Sequence, residues 1–178
     1  MIDVLIADHR STERLFQQYE AAPAPGDVGA LVRQIILELI QHAEAEEQYV
    51  YPAARRVIAN GDRVIEHDIG EHSRVEVLLD ALDGRSSDDP DFDGLVRQVI
   101  AEVRQHVSEE ESITLPQLRN VIPESDLIEL AGKVALAKKV SPTRPHPASP
   151  DHPPFNKILG SGAGLVDRVR DWLRSDNS

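Results

Sequence analysis

Residues 42–52 read HAEAEEQYVYP, and residues 106–116 read HVSEEESITLP. Each stretch carries His-x-x-x-Glu-Glu and a proline ten residues after the histidine. The residues ahead of them repeat as well: LVRQIILELIQH from Leu31 and LVRQVIAEVRQH from Leu95 share most of their letters. Further upstream the likeness is looser, with DHRSTERL from Asp8 resembling EHSRVEVL from Glu71. The chain therefore contains one helical hairpin written twice. Two such hairpins pack most simply as an up-down-up-down four-helix bundle with a pseudo-twofold axis.

Apolar residues recur at helical spacing through the first 140 residues, and period-two alternation is nearly absent. The expected fold is all-α. A first helix runs from about Ile2 to Glu20, ahead of the turn APAPGD. A second runs from Val28 to Ile58, with Pro52 inside or ending it, and stops at Asn60-Gly61. A third covers Val64 to Leu82, and a fourth Phe92 to Leu115, with Pro116 near its end. A shorter fifth helix follows Pro123. The expected organisation is a bundle over 1–122, an additional helix over 123–140 and an extension over 141–178. That extension opens with a Pro-rich strap, SPTRPHPASPDHPP, in which His146 and His152 read as solvent-facing turn residues. It ends in a small amphipathic helix, GLVDRVRDWLRS, whose mixed charges favour docking on the bundle over docking on a membrane.

Composition narrows the chemistry. Nineteen Lys and Arg stand against 31 Asp and Glu, a formal charge of −12, which repels phosphate backbones and anionic lipid. Nucleic acid and membrane are therefore not expected partners. The absence of cysteine excludes disulfides, thiolate metal sites, iron–sulfur clusters and cysteine nucleophiles together. The N-terminal apolar run is too short for a signal peptide, no stretch approaches a membrane span, and a cytoplasmic location is expected. Any metal must be held by His, Asp, Glu or Tyr.

The inner seam of each helix follows from spacings of three and four. On the second helix it is Val28, Ile35, Leu39, His42, Glu46, Tyr49 and Ala53; on the fourth, Phe92, Val99, Val103, His106, Glu110 and Ile113. On the first it is Ile2, Leu5, His9, Thr12, Phe16 and Tyr19; on the third, Ile65, Asp68, His72, Val75, Leu79 and Leu82. One histidine interrupts each apolar seam, and on two helices a glutamate joins it. A single His/Glu pair at i, i+4 on an exposed helix is commonplace and contributes only tenths of a kcal/mol. Four such coincidences at matching depth are different. Burying four imidazoles and two carboxylates without partners would cost several kcal/mol, and a metal offsets that cost. Six nitrogen and oxygen ligands exceed the needs of one tetrahedral zinc. Two carboxylates on opposite helices can bridge two ions with two histidines for each, a set that suits iron, with manganese or zinc as substitutes.

In this pattern the sequence resembles the hemerythrin-like, HHE cation-binding family: a lone His9; His42 with Glu46; His72; and His106 with Glu110, across about residues 2–120. The Pro-rich tail is similar to those of some bacterial, especially actinobacterial, members. The resemblance implies a four-helix bundle and a non-haem di-iron centre bridged by an oxo or hydroxo group. It also implies chemistry on O2, peroxide or nitric oxide, either as catalase- or peroxidase-like redox defence or as a sensor or store. Oxygen carriers of the family have His-x-x-x-His on the third helix. Here Asp68 stands four residues before His72, with His67 beside it. Asp68 has the seam position and His67 the chemistry, and the choice between them stays open at this point. Tyr49 on the seam and Tyr51 before the proline are either core aromatics or phenols beside the centre. Glu47, Glu71 and Glu111 are expected on outer faces.

Overall fold

The computed structural model describes residues 1–22, 28–141 and 143–145. His146, His152 and the terminal amphipathic helix lie outside the described residues. Helix α1 (Ile2–Ala21) buries Ile2, Leu5, His9, Thr12, Leu15, Phe16 and Tyr19, the three-and-four spacing of one face. Helix α2 (Gly29–Ala45) passes through a π-helical turn (Glu46–Val50) into α3 (Tyr51–Val57). Helix α4 (Gly61–Leu82) returns beside it, starting from a left-handed Asn60. Gly61 admits no side chain, because a Cβ there would meet the Arg55 carbonyl oxygen at 2.7 Å. Helix α5 (Phe92–Glu109) runs through a second π-helical turn (Glu110–Thr114) into α6 (Leu115–Val121). Helix α7 (Glu124–Val140) then packs across α1 and α2. Among the described residues the fold is all-helical, as expected, and no helix is long and apolar enough to cross a membrane.

The paired prolines explain the paired π turns. Proline lacks the N–H for the i−4 hydrogen bond, and its ring displaces the carbonyl one turn earlier. The turn ahead of it widens instead, so that Tyr51 N donates to Glu46 O and Leu115 N to Glu110 O. Neither proline ends its helix. The second helical path continues to Val57 and the fourth to Val121, six residues past the expected end at Leu115. Each extra residue also rotates the helix beyond it. The expected inner positions Tyr49 and Ile113 leave the seam: Tyr49 is half-buried at the edge of the core, and Ile113 is 48% exposed. Val50, Tyr51, Thr114 and Leu115 are buried in their place.

Two apolar cores result. One gathers Phe16, Ile35, Leu39, Leu79, Val99 and Val103; the other gathers Leu5, Ala45, Tyr51, Ile65, Leu115 and Leu118, with Val134 and Ala137 of α7. The four histidines fall between them in sequence on every helix: His9 between Leu5 and Leu15, His72 between Ile69 and Val75. A polar layer is thus clamped between two hydrophobic ones.

Candidate metal centre

The inner nitrogens of the four histidines meet in two pairs. His9 Nε2 lies 3.2 Å from His42 Nε2, and His72 Nε2 lies 3.2 Å from His106 Nε2. Glu46 stands between the pairs. Its Oε1 is 3.2 Å from His42 Nε2 and its Oε2 is 3.4 Å from His72 Nε2. Glu110 Oε2 approaches His9 Nε2 at 3.3 Å. Two groupings share Glu46: His9, His42, Glu46 and Glu110 on one side, and Glu46, His72 and His106 on the other. Both glutamates are essentially without solvent exposure.

The outer ring nitrogens are held by a second set of carboxylates. His9 Nδ1 donates to Glu111 at 2.8 Å, His72 Nδ1 to Glu47 at 3.0 Å and His106 Nδ1 to Glu71 at 2.9 Å. His42 Nδ1 faces Asp8 at an ion-pair distance of 3.6 Å. The arrangement obeys the repeat. Glu47 and Glu111 each lie five residues beyond a histidine, inside a π turn, and each reaches across to the other hairpin. Asp8 and Glu71 each immediately precede a histidine and reach the adjacent helix of their own hairpin. The expectation that Glu47, Glu71 and Glu111 face outward is therefore corrected, and Asp8 joins them. The residue before a helical histidine points about 100° away from it, toward the neighbouring helix rather than into the core. The signal was present in the repeat, which keeps an acid at both −1 and +5. A carboxylate on Nδ1 fixes ring orientation and leaves the Nε2 lone pair aimed inward, the habit of metal-ligating histidine.

The electrostatics describe a place for cations. Burial opposes charge on His42, yet Glu46, Asp8 and Glu110 hold its pKa up at about 10. Burial likewise opposes charge on His72, and Glu46 and Glu47 hold it up at about 10. Without metal, protons on these two rings therefore balance the buried carboxylates. Glu46 is raised by burial but driven well below its ordinary value by His42 and His72. Glu110, with burial and the Glu46 charge against it, is raised. Asp68 is lifted to about 6, chiefly by burial. Glu46 Oε1, both oxygens of Glu110 and Asp68 Oδ2 find no hydrogen-bond donor although they are buried. Buried acceptors are seldom left so. Converging imidazole nitrogens and orphaned carboxylate oxygens fit two cations.

The remaining expected residues divide. Tyr51 is brought in: its hydroxyl is 3.0 Å from His72 Nε2 and 3.5 Å from Glu46 Oε2, and burial pushes its pKa well above the usual phenol range. Asp68 is buried near His106 and Glu71. Tyr49 is turned away by the π turn and packs at the edge of the core that holds Tyr51 and Leu118. His67 is not brought in either; its side chain is 55% exposed and faces Glu71 and Glu109. A cavity of about 300 Å³ adjoins the four histidines and runs among Phe16, Leu39, Val75, Leu79 and Val103.

Fold and site together define a cation-binding helical bundle. Residues 1–118 match the hemerythrin HHE cation-binding domain, and the chain belongs to that family. It is 27% identical to a hemerythrin-like protein of Schizosaccharomyces pombe over 96% of this chain and 85% of that protein. It is also 32% identical to a DNA nickase of Nostoc over 76% of this chain, which spans only 38% of the length of that relative. No solved structure is a significant match to the chain.

Proposed function

We propose that the chain is a non-haem di-iron protein of redox defence, turning over peroxide in a catalase- or peroxidase-like manner and open to O2 or nitric oxide. His9, His42 and Glu110 would hold one ion, His72 and His106 the other, and Glu46 would join the two through its separate oxygens. Manganese or zinc would be tolerated as substitutes by the same nitrogen and oxygen donors. Bound iron would supply Lewis acidity and redox capacity. The observation that carries this reading is that four Nε2 atoms meet in two pairs, one member of each beside a Glu46 oxygen, while three of the Nδ1 atoms are hydrogen-bonded to carboxylates and the fourth faces Asp8.

The protein's own groups have defined tasks. Glu47, Glu71, Glu111 and Asp8 hold the rings in place. Tyr51 keeps a phenolic proton within 3.5 Å of Glu46 Oε2, available to an oxidant at the His72 side. Phe16, Leu39 and Val103 give the adjoining cavity an apolar wall that suits a small uncharged molecule.

A second reading, a sensor or store of oxygen, nitric oxide or iron without turnover, is favoured by the near-complete burial of His9, Glu46 and Glu110. DNA nicking is not carried over, since a net charge of −12 repels a phosphate backbone. Oxygen evolution from peroxide by the iron-loaded chain tests the first reading, with His106→Ala as control. Equal rates in the two proteins would remove this site from the reaction, whereas a reversible spectral change with oxygen and no turnover would favour the second reading.

A further inference from the structure

The repeat symmetry of the cluster breaks on one side. In the first hairpin the positions on this flank of the histidines are Val4, Leu5 and Ala45, apolar residues packed in one core with Val134 and Ala137 of α7. Asp8, the carboxylate behind His42, is tied to Lys138 of α7 at 2.6 Å. In the second hairpin the corresponding positions are His67, Asp68 and Glu109, and the carboxylate behind His106 is Glu71. Three apolar positions have thus become three that carry potential ligand atoms, and two of them, His67 and Glu109, stay substantially exposed.

These side chains form a graded series. His67 Nε2 lies 3.5 Å from Glu71 Oε1 and 3.4 Å from Glu109 Oε2. Ligand atoms of His67, Glu71 and Glu109 fall within 4.8 Å of one another, as do those of Asp68, Glu71 and His106. Glu71 belongs to both groups. The outer group meets solvent and the inner one is buried. Asp68 is only 6% exposed, yet its Oδ2 has no hydrogen-bond donor, which a transient cation would remedy. Arg74 also reaches Glu71, at 3.5 Å, but its half-exposed side chain can swing into water.

We propose that His67, Glu109, Glu71 and Asp68 form a relay by which a divalent cation passes from solvent to the inner His/Glu cluster, an inference that rests on the metal-centre reading of that cluster. The cation would exchange water for Glu109 and His67, pass to Glu71 and Asp68, and arrive beside His106. The step is ligand exchange alone, with no redox change. Hard oxygen donors with one imidazole suit a ferrous ion in transit. The first hairpin offers no such path, because apolar side chains and Lys138 stand where the ligands would be.

The test is the rate at which the metal-free full chain takes up ferrous ion under anaerobic conditions, quenched at intervals with a chelator of free iron. The H67A/E109Q variant, altered only at surface positions, is expected to fill about tenfold more slowly and to reach the wild-type iron content. Glu38→Gln removes the same formal charge from α2, where its partner is Gln34, and is expected to fill at the wild-type rate. A double variant that fills as fast as wild type, or a Glu38→Gln chain that slows equally, overturns the relay and leaves the centre standing. A wild-type chain that takes up no iron overturns both.

Discussion

The two hairpins carry nearly the same sequence but finish the cluster differently. At Glu46 the chain continues to Tyr51, and at Glu110 to Leu115; behind His9 stands Leu5, and behind His72 stands Asp68. Glu46 touches a histidine of each pair, while Glu110 approaches His9. The first hairpin is sealed by α7 and the second is open to water at His67 and Glu109. What the halves share is the scaffold: four inward nitrogens, four outer carboxylates and two π turns. What differs is the polarity around one pair of histidines. The repeat builds the cage, and its imperfections give the two positions unequal surroundings, with a phenol and an extra carboxylate on the His72/His106 side only.

The largest expected difference separates the two inner glutamates. In the metal-free chain Glu46→Gln leaves protonated His42 and His72 without their shared anion, and stability should fall by about 3 kcal/mol. Glu110, raised toward its neutral form, is a different case, and Glu110→Gln should cost about 1 kcal/mol or less. Denaturant unfolding of the two variants checks this; equal losses would erase the asymmetry. Next comes the phenol. Tyr51→Phe should retain full iron content while lowering the peroxide rate on the order of tenfold to a hundredfold. Unchanged rates would return Tyr51 to a core aromatic.

Where the halves agree, paired substitutions should agree. Glu47→Gln and Glu111→Gln should each weaken iron binding by about tenfold, as expected for carboxylates that orient a ligating ring. Titration of each variant with ferrous ion measures it, and strongly unequal losses would show that the repeat does not extend to the outer shell. The remaining effect is the pH dependence. The raised pKa values of His42 and His72 give the metal-free chain stability that is complete below about 6.5 and is lost as pH rises through about 10. Metal displaces those protons, so the rise in melting temperature on iron loading should grow across that window. A constant or shrinking increment would contradict the assignment of protons to these rings.

The bundle and the six inner residues were legible because periodicity and repeat state them directly. His9, His42, His72 and His106 break apolar seams at one depth, which is visible without recourse to helix propensity. The outer carboxylates were visible only as a repeated acid at −1 and +5; their partners were not legible, because a 3.6-residue wheel assigns Asp8 and Glu71 to a flank without saying which helix faces that flank. Tyr49 was misplaced for a sharper reason. A single π turn adds one residue between Glu46 and Pro52, which moves Tyr51 inward and Tyr49 away. The paired prolines were the visible sign of that turn, since each follows its histidine at the same distance. His67 and Asp68 were separable only once α4 was seen to start at Gly61 and to run regularly through both.

The central claim is that Glu46 joins two cation positions, each with its own pair of imidazoles. Anaerobic loading with ferrous ion, followed by removal of excess metal and elemental analysis of the intact chain, tests it most directly. Two irons per chain are expected in the wild type, and their loss in Glu46→Ala. A colourless protein that retains no stoichiometric iron, or a Glu46→Ala chain that still retains both, would contradict it.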